Sequence, residues 1–179
     1  MGNNFKPYGN DQNSGRDYRD KNRGDRGRRD GYRAEKPKPE DLFETWKSRM
    51  VTKPLMAEYG NQPDIFLEGQ YLYQTAKSIY ELKVHQVRKV LAVTKEALTI
   101  ARSSSDFSKA KKRLFILLPM LAYNTGRAKK EEQKNYENLL RFVYTNVNQD
   151  SITTIDDIEM FDQMITSVIA YHKFLGGKE

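Results

Sequence analysis

From about residue 40 onward, apolar residues recur three and four positions apart through most of this chain, the spacing that holds one face of an α-helix against a core. Leu42, Phe43, Trp46 and Met50 predict a short helix within residues 40–50. Pro54, Gly60 and Pro63 break the next stretch, and Phe66, Leu67, Tyr71, Leu72, Thr75, Ile79 and Leu82 then resume the rhythm. Val84, Val87, Leu91, Leu98 and Ala101, together with Thr94, draw a buried stripe along a helix over residues 84–101. Leu82-Lys83-Val84-His85 reads as running on from the helix before it.

Ser103-Ser104-Ser105-Asp106 is a cluster of capping residues and predicts a new helix start. Pro119 falls inside the apolar run from Leu114 to Leu121, where it removes a backbone donor and is expected to kink that helix or divide it in two. Tyr136, Leu139, Leu140, Val143 and Val147 face inward from a helix over 129–147, with Lys129, Lys130 and the charges from Glu131 to Lys134 outward. Thr154-Ile155-Asp156-Asp157 resembles a capping box opening the last helix, whose core face is Ile158, Phe161, Ile165, Val168, Ile169 and Leu175. Two helix ends run into glycine and a cation, at Gly126-Arg127 and at Gly176-Gly177-Lys178, where glycine is expected in the left-handed conformation that closes a helix.

No strand-period segment is long enough to compete, so the fold class is all-α, a compact bundle of about five helices. Residues 66–179 form the helical-bundle domain, 40–65 a linker with a short helix, and 1–39 a disordered basic tail rich in RG and RD pairs. The tail reading rests on composition. Residues 1–36 hold ten Lys or Arg and six Gly, with no Leu, Ile, Val or Trp to bury. Such a tail binds RNA weakly or serves only as a solubilising arm, and both readings stay open because six acidic residues offset part of its charge.

Charge sharpens the picture. The chain carries a formal +7, and residues 77–141 alone hold fifteen basic against six acidic side chains. This balance favours a polyanionic partner, most often nucleic acid. Arg88, Lys95 and Arg102 stand seven apart, so they share one side of their helix at steps of about 10 Å, able to track phosphates or merely to rim the core. Lys109, Lys111, Lys112 and Arg113 crowd a helix start, against its dipole, which favours a binding role.

Catalytic and metal chemistry find little support. There is no cysteine, no phosphate-cradling glycine loop and no dinucleotide fingerprint. His85 and His172 are the two histidines, each without a companion ligand at helical spacing, and are read as surface or capping residues. The carboxylates Asp156, Asp157, Glu159 and Asp162 satisfy a helix start. No cofactor, metal or enzymatic activity is expected. No apolar run approaches a membrane span and the N-terminus lacks the apolar stretch of a signal peptide, so a soluble cytoplasmic protein is expected.

The order of short motifs adds a family likeness. Gln86-Val87-Arg88-Lys89, then Leu118, Pro119, Leu121, Ala122, Tyr123, Gly126 and Arg127, then the terminal Ala170-Tyr171-His172-Lys173-Phe174-Leu175-Gly176-Gly177-Lys178 resemble the small helical subunit of type III-A CRISPR (Csm) interference complexes. The likeness spans roughly residues 66–178 and leaves the N-terminal extension through about residue 60 outside it. It implies a non-catalytic RNA-binding subunit that stacks in several copies along the complex. It also implies guide RNA and target RNA, the backbone-filament and large Csm subunits, and copies of itself as partners. Gln86, Pro119, Leu121, Ala122, Tyr123 and Gly126 match its structural motif. Arg88, Lys89 and Arg127 are the residues it turns toward RNA, and Lys95, Lys111, Lys112 and Lys129 complete the basic set. Two other classes remain open: a free-standing single-strand or RNA-binding protein driven by its tail, and a helical protein-interaction scaffold.

Overall fold

The computed structural model describes residues 39–179; residues 1–38 of the tail expected to be disordered lie outside them, and its last residue, Pro39, opens the first helix. Eight α-helices are present among the described residues: α1 (Pro39–Lys47), α2 (Leu55–Tyr59), α3 (Tyr71–Ser78), α4 (Val84–Ser103), α5 (Phe107–Phe115), α6 (Leu117–Arg127), α7 (Lys130–Asn146) and α8 (Ile155–Phe174). A single 3-10 turn, Pro63–Phe66, links α2 to α3, and none of the described residues lies in a strand.

The long helices α4 and α8 form the centre and run antiparallel, α5 packs on α4, α3 on α8, and α6 on α7. The buried face of α4 is Val84, Val87, Val90, Val93, Thr94, Ala97, Leu98 and Ala101. These are mostly small side chains, which let α4 approach the bulkier Phe161, Met164, Ile165 and Val168 of α8. Leu91, expected in that stripe, is only half-buried, because Val90 and Ala97 take the inward positions. Segment 40–65 contributes Trp46, Val51, Leu55 and Ile65 to this same core. Val51 N–H donates to the Thr145 carbonyl and Leu55 N–H to the Ser151 carbonyl, both at 2.9 Å, so the segment is tied along its length.

Three local features depart from the sequence reading. Helix α3 stops at Ser78, and α4 starts afresh at Val84 with no side-chain cap. The chain's C-terminus supplies the missing acceptor, since Val84 N–H donates to the Lys178 carbonyl at 2.7 Å. Gly126 remains helical, and α6 ends instead through Ala128 at φ −62°, ψ 143°. The left-handed turn occurs at Gly176, φ 78°, where the chain folds back on α8. His172 is fully buried: its Nε2 donates to the Leu82 carbonyl at 2.9 Å, so tertiary packing overrides its place in the last turn. Gly177 lies against the His172 ring so closely that a Cβ there would sit 2.2 Å from Cε1.

The apolar run around Pro119 divides at Ile116 into α5 and α6. Pro119 occupies the third position of α6, where no intrahelical donor is needed, so it starts a helix and breaks none. Asp106 caps α5 by accepting from Ser108 N–H at 3.0 Å. Thr154 and Asp157 form a full capping box on α8. The buried Asp157 carboxylate also accepts from Met56 N–H at 2.9 Å, fastening α2 to the start of α8.

Candidate nucleic-acid interface

Three separate motifs meet at one end of the bundle. The start of α4 brings Gln86 and Lys89, the α6–α7 junction brings Asn124, Arg127 and Lys129, and the C-terminal turn caps α4 from the side. Between the first two lies a cleft of about 370 Å³, lined also by Ala128, Glu132 and Tyr136. The junction is extended for two residues, with Lys129 at φ −60°, ψ 153°, which separates the α6 and α7 axes and opens the cleft. Helix α7 begins there without a side-chain cap, so its first N–H groups add positive potential.

Lys89, Arg127 and Lys129 face a single lining carboxylate, Glu132, which leaves the cleft net positive. Lys89 Nζ donates to the Gln86 amide oxygen at 3.4 Å. Arg127 donates to the Tyr123 hydroxyl at 3.1 Å and lies over its ring, 5.2 Å from the centroid. Tyr123 is 62 % exposed, so the pair presents a flat polarised surface beside the cleft. Gly126, between them, leaves open space where a Cβ would stand. Burial first, then the Glu132 carboxylate, holds the Tyr136 hydroxyl above its ordinary pKa and keeps it protonated. On the far side Lys178 pairs with Glu81 at 2.5 Å, which raises the ammonium's pKa and lowers the carboxyl's.

The other expected contacts are placed elsewhere. Lys95 pairs with Asp162 and Arg102 with Glu159, each at 2.6 Å, in a seam joining α4 to α8. Arg88 continues that row to the C-terminal residue, where it adds to the Lys173 hydrogen bond in lowering the Glu179 carboxyl. Lys111 turns back on α5, over the Phe115 ring at 5.7 Å and to the Gln149 carbonyl at 3.4 Å. Lys112 is exposed on α5, and Arg113 beside it grips Glu96 with Nε at 2.6 Å. Of the structural motif, Leu121 is buried, Ala122 half-buried, and Pro119 exposed. Asn124, Glu132 and Tyr136 line the cleft without having been singled out for it. Asn124 lies one turn before Arg127 and Tyr136 two turns after Lys129, a helical spacing that pointed to them once the cations were chosen.

Among the described residues no group of three or more His, Asp or Glu side chains is placed to hold a metal ion, and no helix is long and apolar enough to cross a membrane.

The described residues form an all-α module whose exposed chemistry includes a cationic cleft between helix ends, the build of a small helical assembly subunit. The Csm2 Type III-A family model matches residues 68–178, and the chain belongs to that family. It is a small subunit of a type III-A CRISPR complex and assembles with other Csm subunits. No curated protein and no solved structure shows a significant match to it. The matched span covers α3 to α8 and every residue lining the cleft.

Proposed function

We propose that this subunit binds RNA without catalysing any reaction on it, using the cleft between α4 and the α6–α7 junction. The observation that carries the reading is the convergence of Lys89, Arg127 and Lys129, from two helices and a junction, around one carboxylate. Cations so arranged meet phosphates with no base selectivity, and pairing between guide and target supplies the sequence specificity. The bare backbone at Gly126 admits a strand close to Arg127, and Tyr123 offers a face for a base or sugar. Lys112, exposed on α5, extends the contact along that helix, whereas Lys95 is held by Asp162 and Lys111 by the Gln149 carbonyl. The subunit sits in several copies beside the guide–target duplex, in the cytoplasm.

The test is co-expression with the other Csm subunits and a guide RNA, purification through a tag on a different subunit, and the native mass of the assembly. Recovery of more than one copy, with stoichiometry rising on addition of matched target RNA, is expected. Recovery of a single copy that ignores target RNA, or absence from the assembly, overturns the reading.

A further inference from the structure

A second cavity, of about 190 Å³, lies where the turn after α1, α2, α3 and α7 meet. Arg49, Tyr59, Tyr71, Thr75, Asn138 and Arg141 line it, and it shares no residue with the Lys89–Arg127 cleft. Most of its polar groups are already bonded. Thr75 Oγ1 donates to the Tyr71 carbonyl at 2.9 Å, Asn138 Nδ2 to the Ser78 carbonyl at 2.9 Å, and Asn146 Nδ2 to the Tyr71 hydroxyl at 2.7 Å. Three groups have no such partner among the described residues: the Arg49 and Arg141 guanidiniums and the Tyr59 hydroxyl. No described carboxylate stands within ion-pair distance of either arginine, and Glu58, the acid next to Tyr59, is held by Lys53 at 2.9 Å.

All three open groups can donate. A guanidinium has five N–H groups and no acceptor. Burial first, then Tyr71 and Glu58, pushes the Tyr59 hydroxyl far above its ordinary pKa, so it keeps its proton to donate. A pocket whose open groups are two guanidiniums and a protonated phenol favours an acceptor-rich anion. Its wall is flat as well: the Tyr59 and Tyr71 rings stack 6.1 Å apart at 17°. The volume equals that of about six liquid waters, more than a bare phosphate displaces.

We infer that this cavity is a nucleotide-phosphate site, in which Arg49 and Arg141 fork the phosphate oxygens, Tyr59 donates to a third, and the base lies along the tyrosine wall. The nucleotide is either free or the phosphorylated end of an RNA strand. The two present the same chemistry.

Isothermal titration of the full chain tests this with adenosine 5′-monophosphate, adenosine, and a tetranucleotide with and without a 5′-phosphate. The monophosphate is expected to bind more tightly than adenosine. Arg141→Ala and Arg49→Ala are each expected to weaken it about tenfold or more, the effect of one lost charge-assisted bond. Arg141→Lys restores part of the loss, because the charge remains without the fork. Lys77→Ala, the same charge change on exposed α3, leaves affinity unaltered. Competition by the phosphorylated tetranucleotide alone assigns the site to strand ends, and its failure to compete assigns it to free nucleotide. Unaltered thermal melting of the arginine variants shows that folding is intact, as expected for side chains whose bonds within the fold are few. Equal affinity for adenosine and its monophosphate, indifference to both arginines, or preference for an acidic tetrapeptide overturns the inference. Neither result bears on the Lys89–Arg127 cleft, which shares none of these residues.

Discussion

In the C-terminal half of α4, Lys95 and Arg102 each meet a carboxylate of α8 at 2.6 Å, whereas Lys89, in the N-terminal half of the same helix, meets the amide oxygen of Gln86. The residue types are alike and so is the helix. The difference comes from what packs opposite: Glu159 and Asp162 stand one turn apart on antiparallel α8 and match Lys95 and Arg102, while Lys89 faces the α6–α7 junction with its own Arg127 and Lys129. A cation kept among cations costs some stability, and a surface pair with a carboxylate returns about 0–1 kcal/mol. The seam therefore orders α4 against α8 at little energetic consequence, and the cleft keeps its positive field.

The strongest way to break the comparison is to loosen the helix that supplies the acids. Asp157 anchors the start of α8 by accepting from Met56, Thr153 and Thr154 N–H groups at 2.8–2.9 Å. Asp157→Ala leaves these buried donors without an acceptor and is expected to cost about 3 kcal/mol, read as a lowered urea midpoint. Burial raises this carboxyl's pKa, but the N–H donors overcome it and the net shift is downward. A depressed carboxyl stabilises the fold above its unfolded value of about 3.9, and that contribution is lost as pH falls through the lower folded value. Asp157→Asn is expected to abolish this acid-side loss, and a midpoint that still falls below pH 4 in the same way would assign the loss to other groups.

A smaller effect is expected from emptying the cleft. In the assembled complex, Lys89→Ala with Arg127→Ala is expected to weaken target RNA binding equally across sequences. The salt slope should fall by about 0.7 for each lost single-strand phosphate contact. An unchanged slope with intact melting would make the open half of α4 as inert as the paired half.

The smallest effect comes from converting one half into the other. Asp162→Asn with Glu159→Gln releases Lys95 and Arg102 and is expected to change stability by under about 1 kcal/mol. RNA affinity should rise and the salt slope steepen, because two cations in line with Arg88 are freed. No change in either would mean that RNA does not run along this face.

The helices are legible in the sequence because burial of one face imposes a three-and-four spacing that survives without any knowledge of partners. The short motifs around Gln86, Pro119 and the terminal glycines carry the family. Which basic residues remain open is not legible, because Arg88, Lys95 and Arg102 have the same spacing as a phosphate track and as a salt-bridged seam. The role of His172 is hidden for the same reason: its position in the last turn suggests a dipole contact, and only the fold-back at Gly176 and Gly177 encloses it. Arg49 and Arg141 give no sequence signal, being isolated cations 92 positions apart that meet at one cavity.

By itself, then, the sequence determines the all-α class, the positions of the long helices α4, α7 and α8 within a few residues and the positive balance of the middle segment, since these follow from local periodicity and composition. The tertiary structure alone decides how the charge is used. Electrostatic partnership depends on distances of a few ångströms between residues far apart in the chain, and packing α4 on α8 neutralises one cationic row while the extended Ala128-Lys129 junction leaves another facing outward.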